Sequence, residues 1–264
     1  MKQSTHPVEV GSMLLTMVDP HRGHEVAYNR WYERDHFYAG CLTGPWLFSG
    51  GRWVATRELK GLRFPEDSPI ARPTVQAGSF VAIYWIHADH HDDFQSWGNK
   101  QAHWLYQNGR GFDERTHVHT LLYTLDWVHF RDPDPVPLPL ALDHRFAGLA
   151  TVVILRNQGV TQDRLDAWLR DKYLPTFLAG SPIAMCATWS PIPQGDAPMA
   201  IPKVENTDRL DMQLYFIDEP AASAWERFRT FAHDLEASGL GRVIFASPWL
   251  PTVVGTDRYT DQLW

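Results

Sequence analysis

The pattern of apolar and polar residues predicts two sets of elements in the same order. Short continuous apolar runs beside Gly or Pro favour strands, and apolar positions that recur every three or four residues favour helices. The first half gives strand 11–18, helix 24–42, strands 45–56 and 79–87, a helix from Asp92 to Asn108 and strand 117–129. The second half gives strand 147–155, helix 161–178, strands 183–190 and 209–217, helix 220–238 and strand 242–254.

The two halves are also related in sequence. A shift of 137 residues lays Met13–Val18 on Ala150–Leu155, Trp31 on Trp168 and Pro45 on Pro182, and a shift of 130 lays His103 on His233 and Leu105 on Leu235. Between these stretches, Tyr84-Trp85-Ile86 corresponds to Tyr215-Phe216-Ile217, and Trp127 corresponds to Trp249. Because the matches are collinear, they indicate a duplicated unit.

The duplication predicts the domain organisation and the fold class. We expect a first repeat over 1–135 that carries the functional site and a second, degenerate repeat over 136–264, joined by a stiff, Pro-rich, extended linker at 132–139. A βαββαβ unit covers one face of its sheet with helices, so the other face needs a partner. The prediction is an α+β protein in which two tandem ferredoxin-like βαββαβ repeats pack sheet to sheet as an α+β barrel.

Charge and composition exclude several classes of partner. The 31 acidic and 24 basic residues give a formal net charge of -7, and no run of Lys or Arg forms the basic stripe that nucleic-acid binding requires. The amino terminus lacks an apolar signal region, and no stretch reaches the roughly 18 consecutive apolar residues of a membrane helix. Two cysteines are too few for a disulfide framework. We therefore expect a cytoplasmic protein that binds neither nucleic acid nor a membrane.

One stretch of the first half carries a family resemblance. In chain order, this stretch contains Tyr28-Asn-Arg-Trp31-Tyr32, Asp35-His36, Gly44-Pro45 and Arg52. This stretch resembles the first helix and second strand of the dimeric α+β barrel superfamily, which includes EthD-like proteins, antibiotic-biosynthesis monooxygenases and muconolactone isomerases. Tyr38 stands where the pattern has Pro, and Lys172-Tyr173 replace the acid and His in the second repeat. The resemblance implies the fold. It decides neither the reaction nor whether the chain forms a homodimer.

The adjacent pair Asp35-His36 is the candidate catalytic site. On a helical wheel at about 100° per residue, Asp35 falls inside the apolar arc and His36 lies at its edge. A carboxyl on a buried face has a raised pKa or a charged partner, and both states suit a general acid or base. We expect Asp35 and His36 to move protons, with at least one titrating between about pH 5 and 8. The alternative is a structural ion pair of Asp35 with Arg34 or Arg52.

Neighbouring residues complete this candidate site. We expect Tyr32 and Arg52 to orient a substrate oxygen. The chain has 12 Trp, 13 Phe and 9 Tyr, more than a core of this size needs, so part of them is expected to line an apolar cavity. The predicted substrate-binding residues are Tyr28, Trp31, Trp46, Trp85 and Trp127. The alternative is that these aromatic residues simply fill the core.

The histidines are concentrated in the first half, and one group of them offers a metal alternative. His117 and His119 are two residues apart, a spacing that puts both side chains on one strand face. Together with His87, His90 and His91 they would supply ligands for Zn, Mn or Fe. The other interpretation is a solvated polar turn. His103, which recurs as His233, is expected at the surface.

These features predict a small-molecule enzyme that needs no organic cofactor. It would act by general acid-base chemistry, as a lyase, dehydratase or isomerase, on an aromatic or polyketide-like compound. Two alternatives stay open: a cofactor-free monooxygenase or haem-binding protein of the same fold, and a non-catalytic protein that binds a hydrophobic ligand. The sequence has no dinucleotide, P-loop or serine-hydrolase motif.

Overall fold

The structure, a computed structural model, describes residues 8–195 and 201–264. Its strands are β1 Val10–Pro20, β2 Leu47–Val54, β3 Phe80–His87, β4 Arg115–Phe130, β5 Gly148–Arg156, β6 Ile183–Pro191, β7 Leu210–Ile217 and β8 Gly241–Pro251. Its α-helices are α1 Glu25–Trp31, α2 Arg57–Lys60, α3 His91–Gln107, α4 Gln162–Trp168, α5 Leu174–Leu178 and α6 Trp225–Ala237. Each predicted strand and helix forms, and α2 lies where the pattern predicted no element.

The strands form one closed antiparallel barrel in the order β1-β3-β2-β8-β5-β7-β6-β4. Within each repeat the first strand lies between the third and the fourth, which is the ferredoxin-like order. The two sheets join edge to edge, where β2 pairs with the end of β8 and the second half of β4 pairs with β6. The predicted tandem α+β barrel is confirmed.

Side chains from both repeats fill the barrel. Met13, Leu15 and Met17 of β1 point into it, as the two-residue period of a strand requires. The fully buried indoles of Trp85 and Trp189, one from each repeat, stack with ring centroids 5.1 Å apart. The barrel interior is therefore a packed core.

Two connecting segments extend this core. The linker, predicted to be extended over 132–139, turns into a short 3₁₀ helix at Leu138–Leu140 and buries Phe146 against the barrel residues. It folds back because its apolar side chains gain free energy on burial. The segment 55–78 is held instead by hydrogen bonds. The buried guanidinium of Arg63 donates to three carbonyl oxygens of that segment.

The register of the two repeats differs from the sequence alignment. The β1–β3 and β5–β7 pairings make Met13 the counterpart of Leu149, one residue earlier than the 137-residue shift predicts. A one-residue shift in a strand turns every side chain to the other face. The pairings of β4 and β8 likewise make Tyr123, and not Trp127, the counterpart of Trp249.

The first helix of each repeat changes from α to π geometry. The π turns cover Tyr32–His36 and Tyr38–Leu42 in the first repeat and Leu169–Tyr173 in the second. A π turn holds more residues than an α turn, so side chains beyond its start no longer follow the α-helical spacing. The side-chain directions predicted from the α-helical wheel are therefore wrong after Trp31.

The helices lie outside the barrel, and the two long ones are unequally buried. The α6 helix buries four large apolar side chains, whereas the longer α3 buries only Phe94 and Leu105. Within 8–195 and 201–264, no helix combines the length and the apolar character needed to cross a membrane.

Candidate functional site

The two repeats differ in how well their helices cover the sheet. In the second repeat α6 packs along β8, and the helix-facing strand residues are buried. In the first repeat α3 packs instead on the π turn Tyr38–Leu42 and on β3. The outer faces of β1 and β4 are consequently half-exposed at Leu14, Thr120 and Leu122. We call this region the helix–sheet groove; its residues are Leu14, Thr16, Thr120 and Leu122 on the sheet, with Trp31, His36 and His117.

Three positions explain the difference in coverage. Phe177, Phe228 and Phe231 fill the second repeat, and the Phe177 ring centroid lies 5.6 and 5.8 Å from the other two. Their counterparts by the repeat spacing are Gly40, Gly98 and Gln101. A Cβ atom added at Gly98 would touch only the ring of Phe94. The first repeat therefore lacks three aromatic rings that close the same gap in the second.

The imidazole of His36 faces this groove. It stacks on the indole of Trp31, with ring centroids 4.4 Å apart, and meets the Tyr32 ring edge-on at 5.2 Å. A Cβ atom on Gly40 would lie 2.7 Å from the imidazole, so residue 40 has to be glycine for this placement. The enclosed Nδ1 of His36 makes no hydrogen bond to any described residue. Burial, with the nearby charges of Arg115 and His117, lowers the pKa of His36 to about 3.

A second imidazole, that of His117, lies on the sheet side. Its Nδ1 is hydrogen-bonded to the hydroxyl of Thr120 at 2.9 Å, and that hydroxyl is 2.8 Å from the hydroxyl of Thr16. Its buried Nε2 has no partner in the described ranges, and burial lowers its pKa to about 4. A β-bulge shifts the register between His117 and His119, and His119 bonds to Tyr123 inside the barrel. The prediction that both histidines share one strand face was therefore wrong.

Two buried phenols lie beside the groove. The hydroxyl oxygens of Tyr32 and Tyr84 are 2.9 Å apart, and burial raises the pKa of both above the ordinary value. The guanidinium of Arg52 lies 4.4 Å from the centroid of the Tyr32 ring. Tyr32 is thus a neutral group that contacts both His36 and Arg52 through its ring.

Arg52 occupies the other side of the first helix. It donates to Oδ1 of Asn29 at 3.0 Å and to Oε1 of Glu33 at 3.3 Å, and the side chains of Arg52 and Glu33 are only 4% and 9% exposed. Glu33 also accepts from the backbone N–H of Gly255 at 2.9 Å. Arg52 and Glu33 line a separate cleft of about 610 Å³ between this helix, the linker and the C-terminal segment. The structure therefore does not bring Arg52 into the groove with His36.

Asp35 does not lie on the buried face. Its carboxylate pairs with the guanidinium of Arg110, and its side chain is 31% exposed. The π geometry of Tyr32–His36 rotates the helix so that His36, and not Asp35, faces the sheet. Burial lowers the pKa of the neighbouring His36 to about 3, and a catalytic role of the Asp35-His36 pair stays a prediction.

The aromatic residues predicted to bind substrate lie in different regions. Trp31 stacks on His36, and Tyr28 is buried next to it. Trp85 lies in the barrel interior, Trp46 is 44% exposed at the surface, and Trp127 packs on the helices of the second repeat. Only Trp31 and Tyr28 of this set are near the groove, because strand alternation and the β4–β6 pairing send the others elsewhere.

The metal alternative has no support in the geometry. Across the part of the chain that the structure describes, no group of three or more His, Cys, Asp or Glu is arranged to hold a metal ion. His90 bonds to a carboxylate of α3, and His91 bonds to the hydroxyl of Ser12. His103 and His233 are exposed, as predicted.

Sequence reasoning gave no role to Thr16, Thr120 or Gly40, and it named His117 only as a candidate metal ligand. A position-by-position comparison of the repeats would have indicated Gly40, because a duplicated unit that replaces Phe177 with glycine opens space at that point. The role of His117 had no such signal, since the β-bulge that turns it outward cannot be read from residue spacing.

No protein-family model and no curated protein sequence matches this chain. Solved structures match it over nearly the whole length. An anthrone oxidase-like protein has a TM-score of 0.56 and 8% identity, covering 94% of this chain and 95% of that one. TA0507, described as a chlorite dismutase, has a TM-score of 0.54 and 10% identity, with coverages of 97% and 100%. A chlorite dismutase variant from Candidatus Nitrospira defluvii has a TM-score of 0.50 and 9% identity, with coverages of 97% and 96%.

These likenesses concern the fold alone, because one fold supports many reactions. The anthrone oxidase-like and chlorite dismutase structures share the ferredoxin-like α+β barrel, so the fold that the superfamily resemblance implied is confirmed. The chain has the dimeric α+β barrel fold, with both halves of the barrel supplied by one polypeptide.

Proposed function

We propose that this protein is an enzyme that removes a proton from an aromatic or polyketide-like substrate in the helix–sheet groove, with His36 as the general base. One observation carries the proposal. The same gap is filled by three phenylalanines in the second repeat, whereas in the first their counterparts are Gly40, Gly98 and Gln101, beside the imidazole of His36, whose enclosed Nδ1 makes no hydrogen bond to any described residue. Burying an unpaired polar atom costs free energy. The presence of such an atom on His36 therefore favours a ligand that binds next to it.

The surroundings of His36 favour an anion next to it. The guanidinium of Arg115 lies 4.6 Å from the centroid of the Trp31 ring, on which the imidazole of His36 stacks, and its positive charge contributes to the lowered pKa of His36. The same charge would stabilise the enolate or phenolate that forms when a substrate loses its proton. That anion would in turn stabilise the imidazolium and raise the pKa of His36 during the reaction.

The apolar walls suit an aromatic substrate. Trp31 offers a stacked ring at the imidazole, and Leu14 and Leu122 present half-exposed apolar side chains from the sheet. The hydroxyls of Thr16 and Thr120, 2.8 Å apart on the sheet side of the groove, would bond to substrate oxygens. Proton removal in such a site leads to isomerisation or to loss of a leaving group, as in an isomerase, lyase or dehydratase.

Oxygen addition is the second candidate, and it begins with the same proton transfer. The fold likeness to an anthrone oxidase-like protein favours it. For anthrone the balanced reaction joins C14H10O and O2 to give C14H8O2, an anthraquinone, and H2O. Base removal of a methylene proton would produce the electron-rich enolate that transfers electrons to oxygen.

Anthrone is therefore the probe for the experiment. Deuterium incorporation at its methylene carbon in D2O under nitrogen measures proton transfer, and oxygen uptake in air measures the oxidase reaction. We expect wild-type protein to accelerate the exchange, and His36→Gln to lose ~100-fold or more of that acceleration. His103→Gln, the same change at an exposed position, is the matched control and should keep the full rate.

Equal exchange rates for wild type and His36→Gln would contradict the proposal. Anthrone binding without any exchange would favour the hydrophobic-ligand carrier. An absorbance spectrum of the purified protein with an intense band near that of haem would favour the haem-binding alternative.

A further inference from the structure

The barrel is closed unequally at its two joints between the repeats. Seven residues of β4 pair with β6, whereas β2 pairs with β8 only through Trp53 and Val54. Within 8–195 and 201–264, the residues of β2 ahead of Trp53 therefore have no strand beside them on this edge. The cleft of about 610 Å³ that Arg52 and Glu33 line lies at this gap. We call it the seam cleft; it is bounded by the first helix, β2, linker residues 142–147 and residues 251–254.

The equivalent joint of the second repeat is occupied by backbone pairing. By sheet register Thr188 of β6 is the counterpart of Arg52, and β4 lies directly beside it, with Trp127 paired to Thr188. Beside β2 the linker takes the place of a strand, and it is attached there by the Ser49 hydroxyl, which donates to the Asp143 carboxylate at 3.1 Å. A side-chain contact fills less space than a paired strand, so a cleft remains.

The walls of the seam cleft are largely apolar. Their large apolar side chains come from the first helix, the barrel and the two covering segments: Phe37, Trp53, Phe146, Val253 and Val254. Val253 and Val254 are 39% and 74% exposed, and their burial against an apolar molecule would be favourable. Small-molecule sites have volumes of roughly 300 to 1,000 Å³ and a few polar groups among apolar walls. The seam cleft has both properties.

One buried polar group of the seam cleft lacks partners. Nη1 of Arg52 donates to Asn29 and Glu33, but Nε and Nη2 make no hydrogen bond to any described residue. The Arg52 side chain is only 4% exposed, so it has little access to bulk water. Buried donors are almost always hydrogen-bonded. In a guanidinium, Nε–H and one Nη2–H point the same way, and one carbonyl oxygen can accept from both.

The charges around Arg52 favour a neutral acceptor. Glu33 lies 3.3 Å from Arg52 with a side chain that is 9% exposed, so a buried carboxylate already balances the guanidinium. A ligand carboxylate would stand next to Glu33, and like charges repel more strongly where water is excluded. At the mouth, Asp143, His144 and Arg145 are exposed and of mixed sign. Arg52 therefore offers hydrogen bonds to a carbonyl group and little net charge to an anion.

We propose that the seam cleft binds a neutral aromatic ketone or quinone. Its carbonyl oxygen accepts from Nε and Nη2 of Arg52, and its rings lie against Trp53 and Phe146, since aromatic rings pack favourably on one another. The seam cleft lies on the other side of the first helix from the groove of His36. The proposal does not rest on the proposed reaction.

Benzophenone is the probe for locating the site, because it has two rings and one carbonyl group. Under near-ultraviolet light this carbonyl inserts into a neighbouring C–H bond: its carbon joins the protein carbon, and the hydrogen moves to its oxygen. Mass spectrometry of peptides from the irradiated full chain then gives the position. We expect attachment within 142–147 or 251–254. Attachment only to residues of the helix–sheet groove, or scattered over the surface, would overturn the proposal.

Equilibrium dialysis measures the affinity and tests the role of the carbonyl. Diphenylmethane has the same rings without the carbonyl, and diphenylacetate carries a carboxylate in its place. We expect both to bind the full chain at least tenfold more weakly than benzophenone. Arg52→Lys keeps a positive charge beside Glu33 but removes Nε and Nη2, so it should weaken benzophenone binding about tenfold and leave diphenylmethane unchanged. Arg57→Lys, the same change at an exposed position, is the matched control.

Further variants keep the test decisive. If Arg52→Lys does not fold by circular dichroism, Ala147→Phe takes its place, because it puts a ring into the cleft and should weaken benzophenone binding tenfold or more. Ala222→Phe, at an exposed position, is its control, and His36→Gln should leave binding unchanged. The proposal is overturned if benzophenone does not bind, if it binds no better than diphenylmethane or diphenylacetate, or if the cleft variant that folds binds it as wild type does.

Discussion

In each repeat a tryptophan of the first helix stacks on another ring, but the residue that supplies the second ring differs between the repeats. In the first, Trp31 stacks on His36 with centroids 4.4 Å apart, and in the second, Trp168 stacks on Tyr173 at 4.7 Å. The Tyr173 hydroxyl donates to Asp234 of α6 at 3.0 Å, whereas Nδ1 of His36 has no partner among the described residues. One copy uses the position for packing and the other keeps a polar atom free.

The surrounding residues follow the same division. Phe231 contacts Tyr173 with ring centroids 5.3 Å apart, while its counterpart Gln101 turns to a backbone carbonyl. A buried aromatic side chain contributes several kcal/mol to stability, so the first repeat has given up packing free energy at this place. In a duplicated fold, the copy that is less well packed at an equivalent position is the better candidate for function.

The largest expected effect tests this difference in packing. Phe231→Ala should lower the free energy of unfolding by about 3 to 5 kcal/mol, because it leaves a cavity among fully buried rings. Gln101→Ala, at the counterpart position in α3, should cost less than about 1 kcal/mol. Urea denaturation of both variants checks the comparison, and equal losses would show that the first repeat is as tightly packed as the second.

A second effect comes from the opposite pH responses of the two repeats. His36, His117 and the interior His119 have pKa values lowered to between about 3 and 4, while unfolded histidine titrates near 6.5. Below about pH 6.5 the unfolded chain therefore binds protons that the folded chain does not, and stability falls. For the buried His119 the loss between pH 7 and 5 is about 2 kcal/mol.

Asp211 changes the stability with pH in the opposite direction. Its pKa is raised by burial to about 7, so the folded chain holds a proton that the unfolded chain loses near pH 4, and stability falls as the pH rises from about 4 to 7. Asp211→Asn should stabilise the protein at pH 8 and reduce the fall in stability between pH 4 and 7, and His119→Gln should reduce the fall in stability below pH 6.5. Unfolding curves from pH 4 to 9 check both, and unchanged slopes would contradict the assigned burial effects.

A third prediction concerns the space beside His36. Gly40→Ala places a Cβ atom 2.7 Å from the imidazole, so the ring has to move, and we expect the anthrone exchange rate to fall about tenfold. Gly98→Ala, whose Cβ would touch only Phe94 at 3.7 Å, is the control and should keep the rate. A Gly40→Ala protein with full activity would show that the placement of His36 is not needed.

The smallest effect is expected at Asp35. Because its carboxylate pairs with Arg110 on the outer side of the helix, Asp35→Asn should change the exchange rate by less than about threefold. The loss of a half-exposed ion pair should cost at most about 1 kcal/mol of stability. Exchange rates for Asp35→Asn and His36→Gln, measured side by side, decide between the two residues. A rate loss as large as that of His36→Gln would return Asp35 to the site.

The sequence by itself determined the order of elements, the duplication and the barrel. Apolar runs and helical arcs are local signals, and the observed strands and helices begin and end within a few residues of the predicted ones. The sequence also predicted that the candidate site lies in the first repeat, because Lys172-Tyr173 replace the acid-His pair in the second.

Tertiary structure decided which residues meet. The π turns from Tyr32 to Leu42 exchanged the orientations of Asp35 and His36, and the β-bulge separated His117 from His119. Both features depend on packing between helix and sheet, which residue spacing does not encode. The pairing of β4 with β6 placed Trp127 among the helices of the second repeat. Such contacts between distant segments exist only once the barrel has closed.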